Sequence, residues 1–303
     1  MLDAEALRPV LSGLHLAPLA AVTELDGSSA PVFRLDLEDG SALILKAYDR
    51  AEKLPYREKR AAELLVGSLV PHPRYLLIDE SLARLPYRFA LMTYVAGRTG
   101  RAFTASPDLF VGIGRLARDL HSISLFRFGS LLEPEHDTNS SYVRALADHA
   151  FGQFLHYGAE PALTHQLRRI LDDDFPEIVL ESDKPVFAHD DLHPGNVLAM
   201  ETETGIAISG LIDFGNARAS CAVMDLAKTI FICEHEQPGS GSAILEGYGP
   251  LDHPVPDRAL AFYTLLHRVI MWWWLRHIGV LNSPHAESDV MTALRETAEA
   301  NPL

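Results

Sequence analysis

Cysteine is nearly missing from this chain: 303 residues contain two, Cys221 and Cys233. Two thiols make neither a disulfide framework nor a metal cluster, so the chain reads as cytoplasmic and reduced, with both thiols packed inside. Long uncharged apolar runs are missing as well. The most apolar segment, 262–281, carries Trp272-Trp273-Trp274 but is broken by His267, Arg268, Arg276 and His277. That pattern excludes a membrane span and predicts a helix buried in the larger part of the fold, its tryptophans either packing the core or, one or two of them, lining a binding site. The first residues include Asp3 and Glu5 and no basic start to an apolar run, so no signal peptide is expected. Basic residues are scarce, 26 Lys and Arg against 41 Asp and Glu for a net charge of −15, which excludes a nucleic-acid partner. There is no tandem repeat or low-complexity tract, and Pro238-Gly239-Ser240-Gly241-Ser242 alone has the composition of a mobile loop.

What is present is a dense set of oxygen ligands at fixed spacing. His189-Asp190-Asp191-Leu192-His193-Pro194-Gly195-Asn196 is followed by Ile212-Asp213-Phe214-Gly215, which reads H-x-D-x-x-x-x-N and then D-F-G. Moving a γ-phosphoryl group needs a carboxylate to orient the acceptor hydroxyl and oxygen ligands for Mg²⁺. Asp191 is the candidate catalytic base, and Asn196 and Asp213 are the candidate metal ligands. The apolar runs Pro185-Val186-Phe187-Ala188, Ile206-Ala207-Ile208 and Leu211-Ile212 predict short buried strands that deliver these loops. His189 reads as a core histidine bracing the loop. His193 stands where protein kinases carry a lysine, so a phosphate contact and a structural role both remain open.

On these motifs, with Asn196-Val197-Leu198 and Asp225-Leu226-Ala227 twelve residues beyond Asp213, the chain resembles the aminoglycoside phosphotransferase family and its relatives among small-molecule kinases. The resemblance runs over most of the chain. It implies an α+β, protein-kinase-like two-lobe fold: an antiparallel β-sheet N-lobe with one main helix at 1–95 and a mostly helical C-lobe at 96–303. It further implies ATP as co-substrate, with GTP left open, Mg²⁺ as cofactor, and Asp225 as a buried anchor accepting backbone hydrogen bonds from the catalytic loop. A helix N-cap is the plainer role for Asp225.

The remainder of a nucleotide site is sought upstream. Phe33 to Leu37 and Ala42 to Tyr48 are β-rich runs joined by Glu38-Asp39-Gly40-Ser41, a hairpin signal. Ile44 and Lys46 share one face of the second run by period two, which suits covering adenine and reaching the phosphates. Leu43-Ile44-Leu45 makes that strand apolar on both faces, so Lys46 needs a partner. Glu58, in a helix predicted over 56–65 that resembles the family's first helix, is chosen over Glu63. Asp26-Gly27-Ser28-Ser29-Ala30-Pro31 could lay backbone N–H groups and the hydroxyls of Ser28 and Ser29 over the phosphates, although it is no G-x-G-x-x-G. A further strand is expected over 85–95. The resemblance places the adenine-reading hinge at its end, with Met92 behind the base, the Thr93 carbonyl and Val95 N–H as contacts, and Gly97 as the pivot.

The expected partner is a small-molecule hydroxyl acceptor, with the protein a monomer or homodimer. Residues 131–190 hold twelve acidic against four basic side chains. Glu133, Glu135, Asp137 and Asp172-Asp173-Asp174 would attract a polycation if they lined the acceptor site, or simply form a solvated face. The leading acceptor is an aminoglycoside-type antibiotic, with a resistance role. Amino alcohols, sugars, sugar-amines and macrolides share every catalytic residue, and a nucleotide-binding pseudokinase is the non-enzymatic alternative. A protein kinase is disfavoured because no Ala-Pro-Glu follows Asp213.

Overall fold

A computed structural model of the chain describes residues 4–25, 31–48, 54–282 and 288–301. The chain divides into two compact units, Met1–Leu109 with Pro194–Ala217, and Phe110–His193 with Arg218–Leu303. The first opens with α1 (Ala4–Gly13), β1 (Leu19–Leu25), β2 (Val32–Leu37), β3 (Ala42–Tyr48), α2 (Leu54–Leu64), β4 (Tyr75–Asp79), β5 (Arg88–Thr93) and the short β6 (Arg98–Thr99). In the second unit lie α3 (Pro107–His121), β7 (Phe128–Ser130), β8 (Pro134–His136), α4 (Asn139–His156), α5 (Pro161–Ile178) and β9 (Val186–Ala188). The chain re-enters the first unit as β10 (Val197–Thr202) and β11 (Gly205–Leu211). It completes the second with β12 (Arg218–Ser220), α6 (Ala222–Glu236), α7 (Ser240–Tyr248), α8 (Pro256–His277) and α9 (Asp289–Ala300).

The main sheet of the first unit is antiparallel, in the order β1-β2-β3-β5-β4. Gly40 at φ +83° makes the turn between β2 and β3, and the Asp39 carboxylate accepts the backbone N–H and hydroxyl of Ser41. Alternation along the strands then sorts the side chains. Phe33, Leu35, Leu37, Leu43 and Leu45 face a core closed by Leu7, Val10 and Leu11 of α1. Ile44 and Lys46 therefore point from the opposite face. There Tyr48, Ala90 and Met92 form a second small cluster with Ile44, Leu54 and Tyr75.

The second unit is mostly helical and built around α8. Ala259, Phe262, Tyr263, Leu266, Val269 and Trp272 of that helix are buried among the apolar faces of α4, α5, α6 and α9. Its sheet is short, in the order β8-β7-β12-β9. On α3, Leu109, Ile113, Leu116 and Leu120 are buried, as their helical spacing predicts. Two glycines set how closely α3 and α7 approach: a Cβ on Gly114 would collide with the Ile244 carbonyl, and one on Gly247 with the Val111 carbonyl.

The expected mobile loop at 238–242 is instead a turn and a helix start. Gly239 adopts φ 87° and Ser240 opens α7, while the Glu234 carboxylate accepts the N–H groups of Gly239 and Gly241 at 2.9 and 2.5 Å. Those bonds satisfy donors a helix start leaves without partners. The strand expected over 85–95 is confined to Arg88–Thr93. Cys221 and Cys233 are buried, and burial pushes the Cys221 thiol up to about 12.

The three adjacent tryptophans have unequal environments. Trp272 is 1% exposed and its ring centroid lies 4.8 Å from that of Phe154, whereas Trp274 is 45% exposed. Trp272→Ala should lower the unfolding free energy by about 3–5 kcal/mol, and Trp274→Ala by no more than ~0.5 kcal/mol, read as shifts of urea midpoints at constant slope.

Candidate functional site

In the first unit the predicted residues converge on Glu58. Its side chain is fully buried on α2, and its Oε1 accepts from Lys46 Nζ at 2.7 Å. Its Oε2 accepts from the hydroxyls of Tyr48, at 2.7 Å, and Tyr75, at 2.6 Å. A carboxylate cut off from water is tolerable only with such donors. Burial and the Glu58 charge hold both tyrosines well above their usual range, so they remain protonated donors. Glu63, by contrast, is half-exposed and faces Lys59 and Arg60 at 3.9 and 3.8 Å.

Lys46 has a second partner. Its Nζ lies 3.1 Å from Asp213 Oδ1 and 5.6 Å from the centroid of the Tyr48 ring. Burial pulls the ammonium pKa down, yet the two carboxylates outweigh it and hold it above the ordinary lysine value. Asp213 follows β11 at φ 63°, ψ 65°, a left-handed conformation sparsely used by residues with a Cβ. Arg57 of α2 donates to the Gly215 carbonyl at 3.1 Å, so one helix is fastened both to β3 and to the loop carrying Asp213.

The hairpin of β10 and β11 explains how Asn196 and Asp213 become neighbours. Val197 pairs with Leu211, and the Ile212 N–H continues the ladder to the Asn196 carbonyl at 2.9 Å. Asn196 thus enters one strand where Asp213 leaves the other. One carboxylate and one amide oxygen suit Mg²⁺, which binds through one or two protein oxygens while keeping waters and phosphate oxygens. They do not suit zinc, and among the described residues no cluster of three or more His, Cys, Asp or Glu side chains could hold a metal.

At the end of β5, Met92 is opposite Ile44 in β3 and Tyr75 in β4. Thr93 is tied to Arg74 through its N–H and its Oγ1, each at 2.9 Å. Val95 packs over Gly210, where a Cβ would meet Val95 Cγ1 at 2.6 Å. Gly97 adopts φ +141°, and a Cβ there would strike Ser209 Oγ, so close approach as well as freedom requires glycine. The Arg34 guanidinium lies 4.4 Å from the centre of the Tyr94 ring. Ser28 and Ser29 lie outside the described residues.

In the second unit Asp225 is 2% exposed. Its Oδ2 accepts the His189 N–H at 3.2 Å and its Oδ1 the Asp190 N–H at 2.8 Å. It sits within α6, whose N-cap is Cys221, so it anchors the loop rather than capping the helix. Burial works against its charge, but His121 Nε2, 3.0 Å from Oδ2, together with the loop N–H groups, lowers its pKa below the ordinary aspartate value. Tyr248 in turn meets His121 Nδ1 at 2.9 Å. His189 is buried and Asp191 half-buried. His193 Nδ1 lies 3.3 Å from Glu236 Oε1.

Four carboxylates of the acidic segment form surface ion pairs: Asp137 with Arg127, Asp148 and Asp172 with Arg168, and Asp174 with Arg258. The tyrosines on Glu58 were missed by sequence reasoning. Tyr48 carried a signal, since period two puts it on the Lys46 face, while Tyr75 carried none.

The Asp225 pKa, lower folded than unfolded, contributes stability that is present above the unfolded value of about 4 and lost as pH falls through the folded one. The acid limb of a stability–pH curve should therefore flatten below about pH 4 in Asp225→Asn relative to the wild type. Tyr48→Phe and Tyr75→Phe should each cost about 1–3 kcal/mol, by removing a donor from a buried carboxylate, measured by urea unfolding.

A model described as the phosphotransferase enzyme family matches residues 22–262. No curated protein matches. Among solved structures, aminoglycoside phosphotransferase APH(4)-Ia in ternary complex with ADP and hygromycin B superposes with a TM-score of 0.70 at 15% identity, over 97% of this chain and 96% of that one. Macrolide 2′-phosphotransferase MphH from Brachybacterium faecium gives 0.66 at 18%, over 99% of both chains. A fructosamine-3-kinase candidate from Thermobifida fusca gives 0.59 at 20%, over 98% of both. These likenesses agree on an α+β, protein-kinase-like fold. No helix among the described residues is long and apolar enough to cross a membrane.

Proposed function

Because the chain belongs to the phosphotransferase enzyme family, we propose that it moves the γ-phosphoryl group of MgATP to a hydroxyl of a small molecule, with an aminoglycoside-type antibiotic as the leading acceptor. The observation that carries this reading is the Lys46 ammonium shared between buried Glu58 and Asp213, at 2.7 and 3.1 Å. A lysine so placed contributes a fixed positive charge to the α- and β-phosphates while Asp213 and Asn196 hold Mg²⁺. The metal, when bound, supplies charge neutralisation along the β- and γ-phosphates.

The remaining roles fall to the chain's own side chains. Asp191 orients the acceptor hydroxyl and accepts its proton as the oxygen attacks phosphorus. Ile44 and Met92 cover the base, and the Thr93 carbonyl and Val95 N–H read its edge. His193, already beside Glu236, contributes to the phosphates only when protonated or as a neutral donor. Ser28 and Ser29 are assigned to the phosphate-covering loop on sequence grounds. Residues 1–95 are assigned the nucleotide-binding sheet and helix, and 96–303 the catalytic loop, the metal ligands and the acceptor-binding helices.

A metabolite kinase acting on an amino alcohol, a sugar or a sugar-amine is the second reading, favoured by the likeness to a fructosamine-3-kinase candidate; a macrolide acceptor has the same standing. Lys46, Asp191, Asn196 and Asp213 together weigh against a nucleotide-binding module without turnover. The discriminating assay is ADP release from MgATP across aminoglycosides, macrolides, amino alcohols and sugars, with Asp191→Ala as the blank. Turnover with one acceptor class is expected in the wild type, and loss by at least ~100-fold in Asp191→Ala with nucleotide affinity within about threefold. Retained turnover in that variant would sink the mechanism.

A further inference from the structure

Asp190 has a conformation that its side chain does not favour. It lies between His189 and the proposed base Asp191 at φ +55°, where glycine is at ease and a residue with a Cβ is strained. Its surroundings supply what offsets this. The Asp190 carboxylate is 7% exposed, with Oδ2 2.9 Å from Arg218 Nε and Oδ1 3.2 Å from Lys228 Nζ. The same Lys228 ammonium donates to the Asp190 carbonyl at 2.5 Å, and the Asp190 N–H reaches Asp225 at 2.8 Å. Its N–H, carbonyl and carboxylate are thus all held, by β12 and α6 of the same unit. The Asp190 charge holds the Arg218 guanidinium above the ordinary arginine value despite burial. His267 on α8, which senses the Lys228 charge, is kept neutral by burial, which lowers its pKa to about 4.

Resting on the reading of Asp191 as proton acceptor, we propose that Asp190 is a positioning residue: its clamp by Arg218, Lys228 and Asp225 fixes the left-handed turn that aims Asp191. A buried carboxylate between two cations has few alternative placements, because any shift leaves a charge without its partner. The residue covalently next to it inherits that restriction.

Asp190→Gly separates the two demands, because glycine accepts the φ value but brings no carboxylate. If the clamp positions Asp191, kcat falls by about 10–100-fold, the order of loss for a misplaced reacting group, while KM for MgATP stays within about twofold. Arg218→Ala, which leaves Asp190 its Lys228 partner, gives the same split and serves where Asp190→Gly does not fold. The double variant should lose no more than the worse single one. Backbone amides at 187–193 should exchange faster in both variants while those of α4 and α5 are unchanged, which global destabilisation would not produce. Wild-type kcat in Asp190→Gly, or unchanged exchange at 187–193, overturns the proposal. An active Asp191→Ala instead overturns the reading beneath it, and the exchange result still decides whether the clamp exists.

Discussion

A carboxylate can be removed from water only where hydrogen-bond donors replace the solvent it loses. Glu58, buried and with three donors from Lys46, Tyr48 and Tyr75, is the constraint on which the first unit turns. The donors come from β3 and β4 and the acceptor from α2, so satisfying the charge fixes the helix against the sheet. The same bond leaves Lys46 directed at Asp213. Helix position, lysine direction and the placement of the candidate metal ligand therefore follow from one desolvated group, and breaking it would leave an uncompensated charge inside the protein, typically costing about 3–5 kcal/mol.

The second unit solves the same problem with Asp225 and Asp190. Both are buried carboxylates, and both take backbone N–H groups or cationic side chains as partners, Asp225 from the loop and His121, Asp190 from Arg218 and Lys228. In each unit the candidate chemistry sits beside a buried anion whose geometry is over-determined. Of the four described non-glycine residues with positive φ, His15, Leu82, Asp190 and Asp213, the last two are found there, as expected where local strain is maintained by surrounding structure.

Much of this was legible in the sequence for identifiable reasons. A lysine in a strand apolar on both faces demands a counter-charge, and the resemblance of 56–65 to the family's first helix pointed to Glu58 over Glu63. The Asp39-Gly40 turn, the apolar face of α3 and a buried helix over 262–281 follow directly from local pattern, whereas which of the three tryptophans is buried does not. What was not legible depends on distant pairing. Tyr75 is 17 residues from Glu58, and nothing in its own neighbourhood marks it as a donor. The Pro-Gly-Ser composition of 238–242 suggested mobility because the two N–H bonds to Glu234 are invisible to composition. Helix α1 carries an apolar stripe of its own, Leu7, Val10, Leu11 and Leu14 at i, i+3, i+4 and i+7, but Pro9 inside it argues locally against a helix. The strain at Asp190 is a backbone property that no side-chain pattern encodes.

The central claim is that Lys46, Asp213 and Asn196 form a metal-dependent nucleotide site, and calorimetric titration with ADP in the presence and absence of Mg²⁺ tests it most directly. The wild type should bind ADP at least ~10-fold more tightly with Mg²⁺, and Asp213→Asn should abolish that difference while leaving metal-free affinity little changed. Equal affinity with and without Mg²⁺ in the wild type, or an undiminished Mg²⁺ effect in Asp213→Asn, would contradict the account.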